Sequence, residues 1–404
     1  HARMLSLLMI LHGDEAHSLT RTMGLAKKLC LYPCALIVAL IAALLGFFSM
    51  HPMPEARMFA TFFPLVSGYL PAEIVGDEWW VTRTPVPAVP ADIQPAPRPS
   101  GELSMPLIGG GGHMPAIGLG LCCRSTAYDT TSVRRSVLWF LLSGGRHLDT
   151  AHLYMNHRAV GQGIAEAVKR GIPRSEIFLT TKIPARFFAG ADVDELVPRF
   201  LEELGVDYLD LVLLHAPDGM AGFGACKNGT AVQCRANAWA RLSRLRERGL
   251  IRSIGVSNHG IRHLEELAAL KLAPVAANQI QYNPWAPDFQ QELVEYCEKN
   301  GIVVTAWSPF QGTVMQHSTM FTVGTLKEIA AMTGKTVAQV VLRWALQKKV
   351  TVIPGTGNPA HMRENLAVHS FELSAEQMAR IDGVRTDERA KAFVAQGFQD
   401  RAAD

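Results

Sequence analysis

From Glu102 onward, short apolar runs rich in β-branched residues alternate with longer segments whose apolar residues recur at i, i+3, i+4 and i+7. The predicted strands are 114–120, 146–150, 177–182, 209–215, 251–258, 275–280, 302–308 and 350–356. Eight such β/α units fit a (β/α)8 TIM barrel, whose usual size is roughly 250 residues before insertions. The alternative is an open doubly wound sheet, which would carry a GxGxxG turn after its first strand. The sequence there is GLGLCC, so the pattern favours the barrel.

Ionisable side chains occupy the ends of three consecutive predicted strands. Asp149 ends the second strand, Lys182 the third and His215 the fourth, while Tyr154 follows in the loop after the second. Active sites of such barrels are built at the carboxyl ends of the strands. Each residue taken singly has an ordinary structural explanation, as a helix cap, a solvated strand end or a core histidine. Four of complementary type at neighbouring strand ends indicate a catalytic site.

These four residue types suit proton transfer to a carbonyl oxygen. A phenol has an ordinary pKa of about 10, which makes it a weak acid near neutrality. An ammonium group at Lys182 would stabilise the phenolate of Tyr154 and lower that pKa. Asp149 would keep Lys182 charged, and His215 would hydrogen-bond the carbonyl oxygen. We therefore predict that Asp149 keeps Lys182 charged and that Lys182 lowers the pKa of Tyr154.

The chain closely resembles the aldo-keto reductase family over about residues 101–385. The matching stretches are MPAIGLG, HLDTAHLYMNHRAVGQGI, FLTTKIP, LDLVLLHAPDG, IRSIGVSNH, NQIQYNP, TAWSPFQG and VIPGTGNPAHMRENL. The resemblance implies NADPH-dependent reduction of an aldehyde or ketone to an alcohol, on a (β/α)8 barrel and without a metal. It implies Tyr154 as the proton donor, Lys182 and Asp149 as its activating pair, and His215 as the group that orients the carbonyl.

The resemblance also implies a set of cofactor-binding residues. The nicotinamide carboxamide would be held by Ser257, Asn258 and Gln279, and the nicotinamide ring would stack on Trp307. The pyrophosphate would lie along Ser308 and Phe310, and the adenosine 2′-phosphate would face Thr356. The adenine would be contacted by Glu364 and Asn365. For Trp307 a place as a core aromatic stays open.

Two departures from the family pattern bear on specificity. Where the family often has Lys followed by Ser or Thr, and an Arg a few residues on, this chain has Gly355, Thr356 and His361. Fewer cationic partners weaken charge-assisted recognition of the 2′-phosphate, although Thr356, Arg363 and a protonated His361 could compensate in part. NADPH is the predicted cofactor, and NADH stays possible. Ala216 stands where many members have Trp, which widens the predicted pocket and leaves the substrate open.

A function without turnover is the alternative. Potassium-channel β subunits share this fold and much of the same set of four residues, so the chain could be a nicotinamide-binding regulatory subunit. Repeated consumption of reduced cofactor with aldehydes would distinguish the enzyme from such a regulator.

The first hundred residues differ in composition from the rest. We predict an N-terminal flank (1–28), a transmembrane or signal-anchor helix (29–48), a low-order segment with a Pro-rich stalk (49–100) and the barrel (101–404). Residues 29–48 carry no charge and match the roughly 20 apolar residues that span a bilayer. Arg21, Lys27 and Lys28 precede that run, which predicts a single-pass membrane protein with a lumenal barrel. A secreted or organelle-targeted protein after signal cleavage is the alternative.

Charge and cysteine content limit the remaining functions. The net charge of +3 is small for 404 residues, and no basic run with interleaved aromatics appears, so nucleic acid is not an expected partner. The seven cysteines show no zinc-type spacing, so no metal is expected. Cys226 and Cys234 bracket an N-x-T sequon at Asn228, which predicts either two free thiols in a cytosolic protein or a disulfide beside a glycan in a lumenal one. The oligomeric state stays open.

Overall fold

A computed structural model describes residues 86–122, 129–218, 226, 229–311 and 319–386 of the chain. Eight parallel strands form one sheet in the order β10-β9-β8-β7-β6-β5-β4-β3. The strands are β3 Gly118–Gly120, β4 His147–Asp149, β5 Phe178–Ile183, β6 Leu209–Leu214, β7 Ile251–Ser257, β8 Ala277–Gln281, β9 Val303–Trp307 and β10 Thr351–Val352. A parallel bridge between Ile117 and Val352 joins the first strand of the sheet to the last. The structure thus confirms the predicted TIM-type barrel.

Helices follow every strand of the barrel, as the 3.6-residue periodicity predicts. They are α1 Thr130–Leu142, α2 His157–Lys169, α3 Asp192–Leu204, α4 Ala231–Glu247, α5 Ile261–Ala269, α6 Asp288–Lys299, α7 Gly324–Thr333, α8 Val337–Gln347, α9 Pro359–Leu366 and α10 Ala375–Asp382. Capping residues fix several helix starts. Thr230 before α4, Thr336 before α8 and Ser374 before α10 each accept from the backbone of a glutamine three residues on, whose side chain bonds back to the cap. These are capping boxes that the sequence encodes locally.

An antiparallel hairpin closes the amino-terminal end of the barrel. Its strands are β1 Ser104–Pro106 and β2 His113–Pro115, joined by a glycine-rich turn. Leu107 and Met114 from this hairpin pack with Phe178, Leu211 and Leu213 from the barrel interior. This apolar plug fills one end of the barrel, and the carboxyl ends of the parallel strands lie at the other.

The described part of the Pro-rich segment, residues 86–100, lies against the outer helices of the barrel. We call it the strap. The Arg135 guanidinium donates to the Val86 carbonyl at 2.9 Å, and the Trp139 indole N–H donates to the Pro87 carbonyl at 3.0 Å. The Val86 side chain is only 1% exposed. The strap therefore combines side-chain hydrogen bonds to its carbonyls with one fully buried apolar anchor.

The predicted membrane location is wrong on the structural findings. No helix among the residues that the structure describes is long and apolar enough to cross a bilayer. The apolar run 29–48, on which that prediction rested, lies outside the described residues. Hydropathy identifies an apolar run but does not show that the run forms a spanning helix, so the predicted membrane contact and lumenal barrel fall with it.

A disulfide joins Cys226 to Cys234, with 6.3 Å between their Cα atoms. Cys234 lies in the first turn of α4 and is 2% exposed. The bond ties the loop after β6 to the helix that follows it. Asn228, between the two cysteines, lies outside the described residues.

Candidate active site

Lys182 lies at the centre of the polar end of the barrel and is completely buried. Its Nζ donates to Asp149 Oδ1 at 2.6 Å and to the Thr150 carbonyl at 3.0 Å. A third contact joins Nζ to the Tyr154 hydroxyl at 3.2 Å. Because β4 and β5 are parallel neighbours, their carboxyl ends bring Asp149 and Lys182 together, and a single 3₁₀ turn, His152–Tyr154, returns the phenol to the same place. Asp149 therefore contacts Lys182 directly, and Lys182 contacts Tyr154 directly.

Burial and charge act in opposite directions on the two proton-carrying groups. Burial by itself lowers the pKa of Lys182, but the Asp149 carboxylate and the Tyr154 phenol more than offset it, and the net direction is upward. Burial raises the pKa of Tyr154, and the Lys182 ammonium opposes that rise without cancelling it. The sequence argument considered only the ammonium and so predicted a lowered pKa for the phenol. The structure instead keeps Tyr154 protonated at neutrality, which is the form that can donate a proton.

His215 completes the group as a neutral imidazole. Its ring meets the Tyr154 ring edge to face, with 5.8 Å between centroids. Burial, followed by the charge of Lys182, holds the pKa of His215 well below its ordinary value. Its Nδ1 atom is buried and has no hydrogen-bond partner in the described part of the chain. A neutral histidine beside the phenol can orient a carbonyl oxygen without adding a second positive charge to the site.

A second group of polar side chains lies on the adjoining strands β7, β8 and β9. Asn258, with φ of 61°, donates through Nδ2 to the His215 carbonyl at 3.0 Å and to Ser257 Oγ at 3.1 Å. The Trp307 indole N–H donates to Asn258 Oδ1 at 2.9 Å. Ser257 Oγ in turn donates to the Gln279 carbonyl at 2.9 Å. This network brings four of the predicted nicotinamide-binding residues together and holds the Trp307 ring, which is partly exposed, beside them.

Gln279 has a role that the sequence did not indicate. Its Nε2 donates to Asp149 Oδ2 at 2.7 Å, so one carboxylate oxygen faces Gln279 and the other faces Lys182. The amide was expected to bind the cofactor alone. No local signal could have shown this bond, because 130 residues separate the partners along the chain. Gln279 connects the proton-transfer group to the network around Asn258.

The remaining predicted cofactor residues follow β9 and β10 or lie on α9. Ser308, with φ of 48°, and Phe310 follow β9, and the Phe310 ring packs on Phe321 with 5.4 Å between centroids. Thr356 follows β10, and its Oγ1 accepts from the backbone N–H of Asn358 at 3.0 Å.

The two predicted adenine contacts lie on α9. The Glu364 carboxylate accepts from the Thr336 hydroxyl. Asn365 is 6% exposed. The hydrogen bonds that Thr356 and Glu364 make within the described part of the chain go to Asn358 and Thr336 and not to the four predicted catalytic residues. Among the described residues, no cluster of three or more His, Cys, Asp or Glu is placed to hold a metal ion.

Comparisons with known proteins agree on one family. The model of the aldo/keto reductase family matches residues 116–386. The chain is 36% identical over 284 residues to the 9,11-endoperoxide prostaglandin H2 reductase of Trypanosoma cruzi, covering 69% of this chain and 90% of that protein. It is 36% identical over 280 residues to a glyoxal reductase of Bacillus subtilis, covering 69% and 92%. A crystal structure of a Bombyx mori aldo-keto reductase in complex with NADP matches with a TM-score of 0.64 and 32% identity, over 70% of this chain and 93% of that one.

Proposed function

Because this chain belongs to the aldo-keto reductase family, we propose that it reduces an aldehyde or ketone to an alcohol with a reduced nicotinamide cofactor, Tyr154 supplying the proton. The observation that carries the proposal is the position of the buried Lys182 ammonium, whose contacts are 2.6 Å to Asp149 and 3.2 Å to Tyr154. In this position the Lys182 ammonium can stabilise negative charge on the phenol oxygen.

The residues divide the reaction between them. A reduced nicotinamide held at this site would supply the hydride to the carbonyl carbon. The neutral His215 ring orients the carbonyl oxygen of the substrate toward the Tyr154 hydroxyl, and Tyr154 donates its proton as negative charge develops on that oxygen. Lys182 stabilises the resulting phenolate, while Asp149 keeps the ammonium charged in a site that excludes water. Gln279 donates to the second carboxylate oxygen and thereby restrains the orientation of Asp149.

The site has the chemical groups that a nicotinamide needs. The Trp307 ring is partly exposed beside the amide of Asn258, the hydroxyl of Ser257 and the amide of Gln279, which together offer an aromatic face, donors and an acceptor. These polar groups bond to one another in the structure, so a carboxamide would share or exchange those hydrogen bonds. Ser308, Phe310, Thr356, Glu364 and Asn365 are the proposed contacts for the rest of the cofactor.

We propose NADPH as the preferred cofactor, with NADH as the competitor. The Bombyx mori relative was crystallised with NADP, which supports this choice by likeness alone. Against it, Gly355 offers no charge where the family often has Lys, and a 2′-phosphate is best recognised by charged partners. Arg363 is exposed on α9 and is the remaining guanidinium proposed to face that phosphate.

Steady-state consumption of NADPH and of NADH with a panel of aldehydes and ketones tests the proposal. We expect many turnovers per protein molecule with at least one carbonyl compound, and faster turnover with NADPH than with NADH. A single slow oxidation of bound cofactor, with no further turnover, would instead support a regulatory subunit like those of potassium channels.

A further inference from the structure

The amino-terminal end of the barrel, opposite the candidate active site, carries an open cleft of about 430 Å³. It lies between the turn of the β1–β2 hairpin, the end of α4 and the start of β7. Its lining residues include the glycines 110–112 and 249 and the two arginines Arg246 and Arg252. The volume is in the range of small-molecule sites, and the lining residues include two arginines and no acidic residue.

The hydrogen bonds that the Arg246 guanidinium makes within the described part of the chain go to backbone carbonyls. Its Nε donates to the Arg252 carbonyl at 3.2 Å, and its Nη2 donates to the Gly109 carbonyl. Both acceptors are neutral peptide oxygens, which fix the guanidinium in place but do not neutralise it. The side chain is therefore held by the backbone of two different elements at the wall of the cleft.

Arg252 belongs to a cluster that has more positive than negative charge. Its Nη1 lies 3.3 Å from Asp210 Oδ1, while Arg174 takes Asp210 Oδ2 at 2.7 Å. The two guanidiniums also flank the Tyr208 ring, at 3.9 Å and 4.2 Å from its centroid. Asp210 is thus the carboxylate partner of both Arg252 and Arg174. Of the two arginines that line the cleft, Arg246 bonds to peptide oxygens and Arg252 shares Asp210 with Arg174, so the cleft wall carries a net positive charge.

The glycine turn leaves the cleft free of side chains on that side. Gly110 and Gly112 have φ of 84° and 78°, and a Cβ at either would meet no atom within 4 Å. Gly111 lies directly over Ser253, because a Cβ there would come within 1.6 Å of Ser253 Oγ. Glycines of this kind allow a ligand to approach the backbone closely.

We propose that this cleft binds a compact dianion, a phosphate group carried either by inorganic phosphate or by a small phosphate monoester. Two guanidiniums match the oxygens of a phosphate in charge and in hydrogen-bond geometry. The site is separate from the candidate active site, and its occupant bridges the hairpin, α4 and β7.

Isothermal titration calorimetry of the full chain with inorganic phosphate, and separately with glycerol phosphate, tests the proposal. The matched variants are Gly110→Asp and Gly110→Asn, because both side chains tolerate a left-handed backbone and only the first adds a negative charge at the mouth of the cleft. We expect wild type and Gly110→Asn to bind phosphate alike and Gly110→Asp to bind at least about tenfold more weakly. Tighter binding of glycerol phosphate than of inorganic phosphate would identify the ester as the occupant, and the reverse would identify free phosphate.

Arg246→Gln is the third variant, since glutamine keeps a donor for the Arg252 carbonyl but removes the charge. It should lose phosphate binding to a similar extent. Phosphate that binds at the candidate cofactor site would be insensitive to all three substitutions, so equal affinity in wild type, Gly110→Asp and Arg246→Gln would overturn the proposal. A wild-type response no larger than that to chloride at equal ionic strength would do the same.

Discussion

At the scale of single residues, the 3.2 Å contact between Lys182 and the Tyr154 hydroxyl makes the phenol the group to test. Tyr154→Phe removes only that oxygen and leaves the Lys182–Asp149 ion pair in place. Since a positioned general acid contributes roughly 10² to 10⁴ in rate, we expect turnover to fall by about that factor while cofactor affinity stays near normal. Tyr296→Phe, at a partly exposed tyrosine on α6, should leave activity unchanged. More than a tenth of wild-type turnover in Tyr154→Phe would remove Tyr154 from the role.

The second residue prediction concerns Gly355. This glycine is exposed in the loop after β10, where Gly355→Lys would add an ammonium facing the proposed position of the 2′-phosphate. We expect the Kd for NADPH to decrease by about tenfold and the Kd for NADH to stay constant, because a charge-assisted hydrogen bond contributes about 1.5 kcal/mol. Cofactor titration by quenching of intrinsic fluorescence measures both. Gly355→Gln is the uncharged control, and an equal gain for both cofactors would show that the phosphate binds elsewhere.

At the scale of elements, the disulfide between Cys226 and Cys234 closes a short loop after the strand that leads to His215. Closing a loop of this length lowers the conformational entropy of the unfolded chain and so stabilises the folded state by about 2 to 3 kcal/mol. We expect Cys226→Ala to lose about that much unfolding free energy in urea. Under reductant the wild type and Cys226→Ala should unfold at the same urea concentration, because the Cys226–Cys234 bond is then absent from both, and Cys122, which is also disulfide-bonded, is reduced alike in both. A difference that persisted under reductant would show that the loss comes from the substitution itself and not from the disulfide.

At the scale of the whole molecule, burial of neutral histidines makes stability depend on pH. Burial lowers the pKa of His147 and of His369 to about 4. Between pH 6.5 and 4 the unfolded chain therefore binds protons that the folded chain does not. We expect stability to fall as pH decreases through that window, by about 1.4 kcal/mol per pH unit for each such histidine, and this contribution to level off below pH 4.

A carboxylate extends the same trend to lower pH. A hydrogen bond from His157 holds the pKa of Glu203 to about 2, so its contribution is lost as pH falls from about 4.5 toward 2. Urea unfolding at pH 4, 5, 6 and 7 measures the histidine contribution. His369→Gln should reduce the slope of the unfolding free energy against pH by the contribution of one proton, about 1.4 kcal/mol per pH unit. An unchanged slope would mean that His369 titrates alike in the folded and unfolded states.

Much of the fold and part of the site follow from the sequence alone. Strand and helix periods are local, and parallel strands place their carboxyl ends on one side, so Asp149, Lys182 and His215 could be assigned to a common end of the barrel before any coordinates. The capping boxes before α4, α8 and α10 are local in the same way. The resemblance to the family added the list of cofactor residues, which remains a proposal.

Only the tertiary structure decided the partners and surroundings of those residues. Gln279 bonds to Asp149 across 130 residues, and an amide with both a donor and an acceptor gives no sequence clue to which group it will choose. The Pro-rich segment packs as a strap because Trp139 and Arg135 reach its carbonyls, which its own composition does not show. The pKa of Tyr154 rises because burial outweighs the Lys182 charge, and burial is a property of the packed barrel. Local periods are encoded within a few residues, whereas desolvation and hydrogen-bond pairing depend on which distant segments the closed barrel brings together.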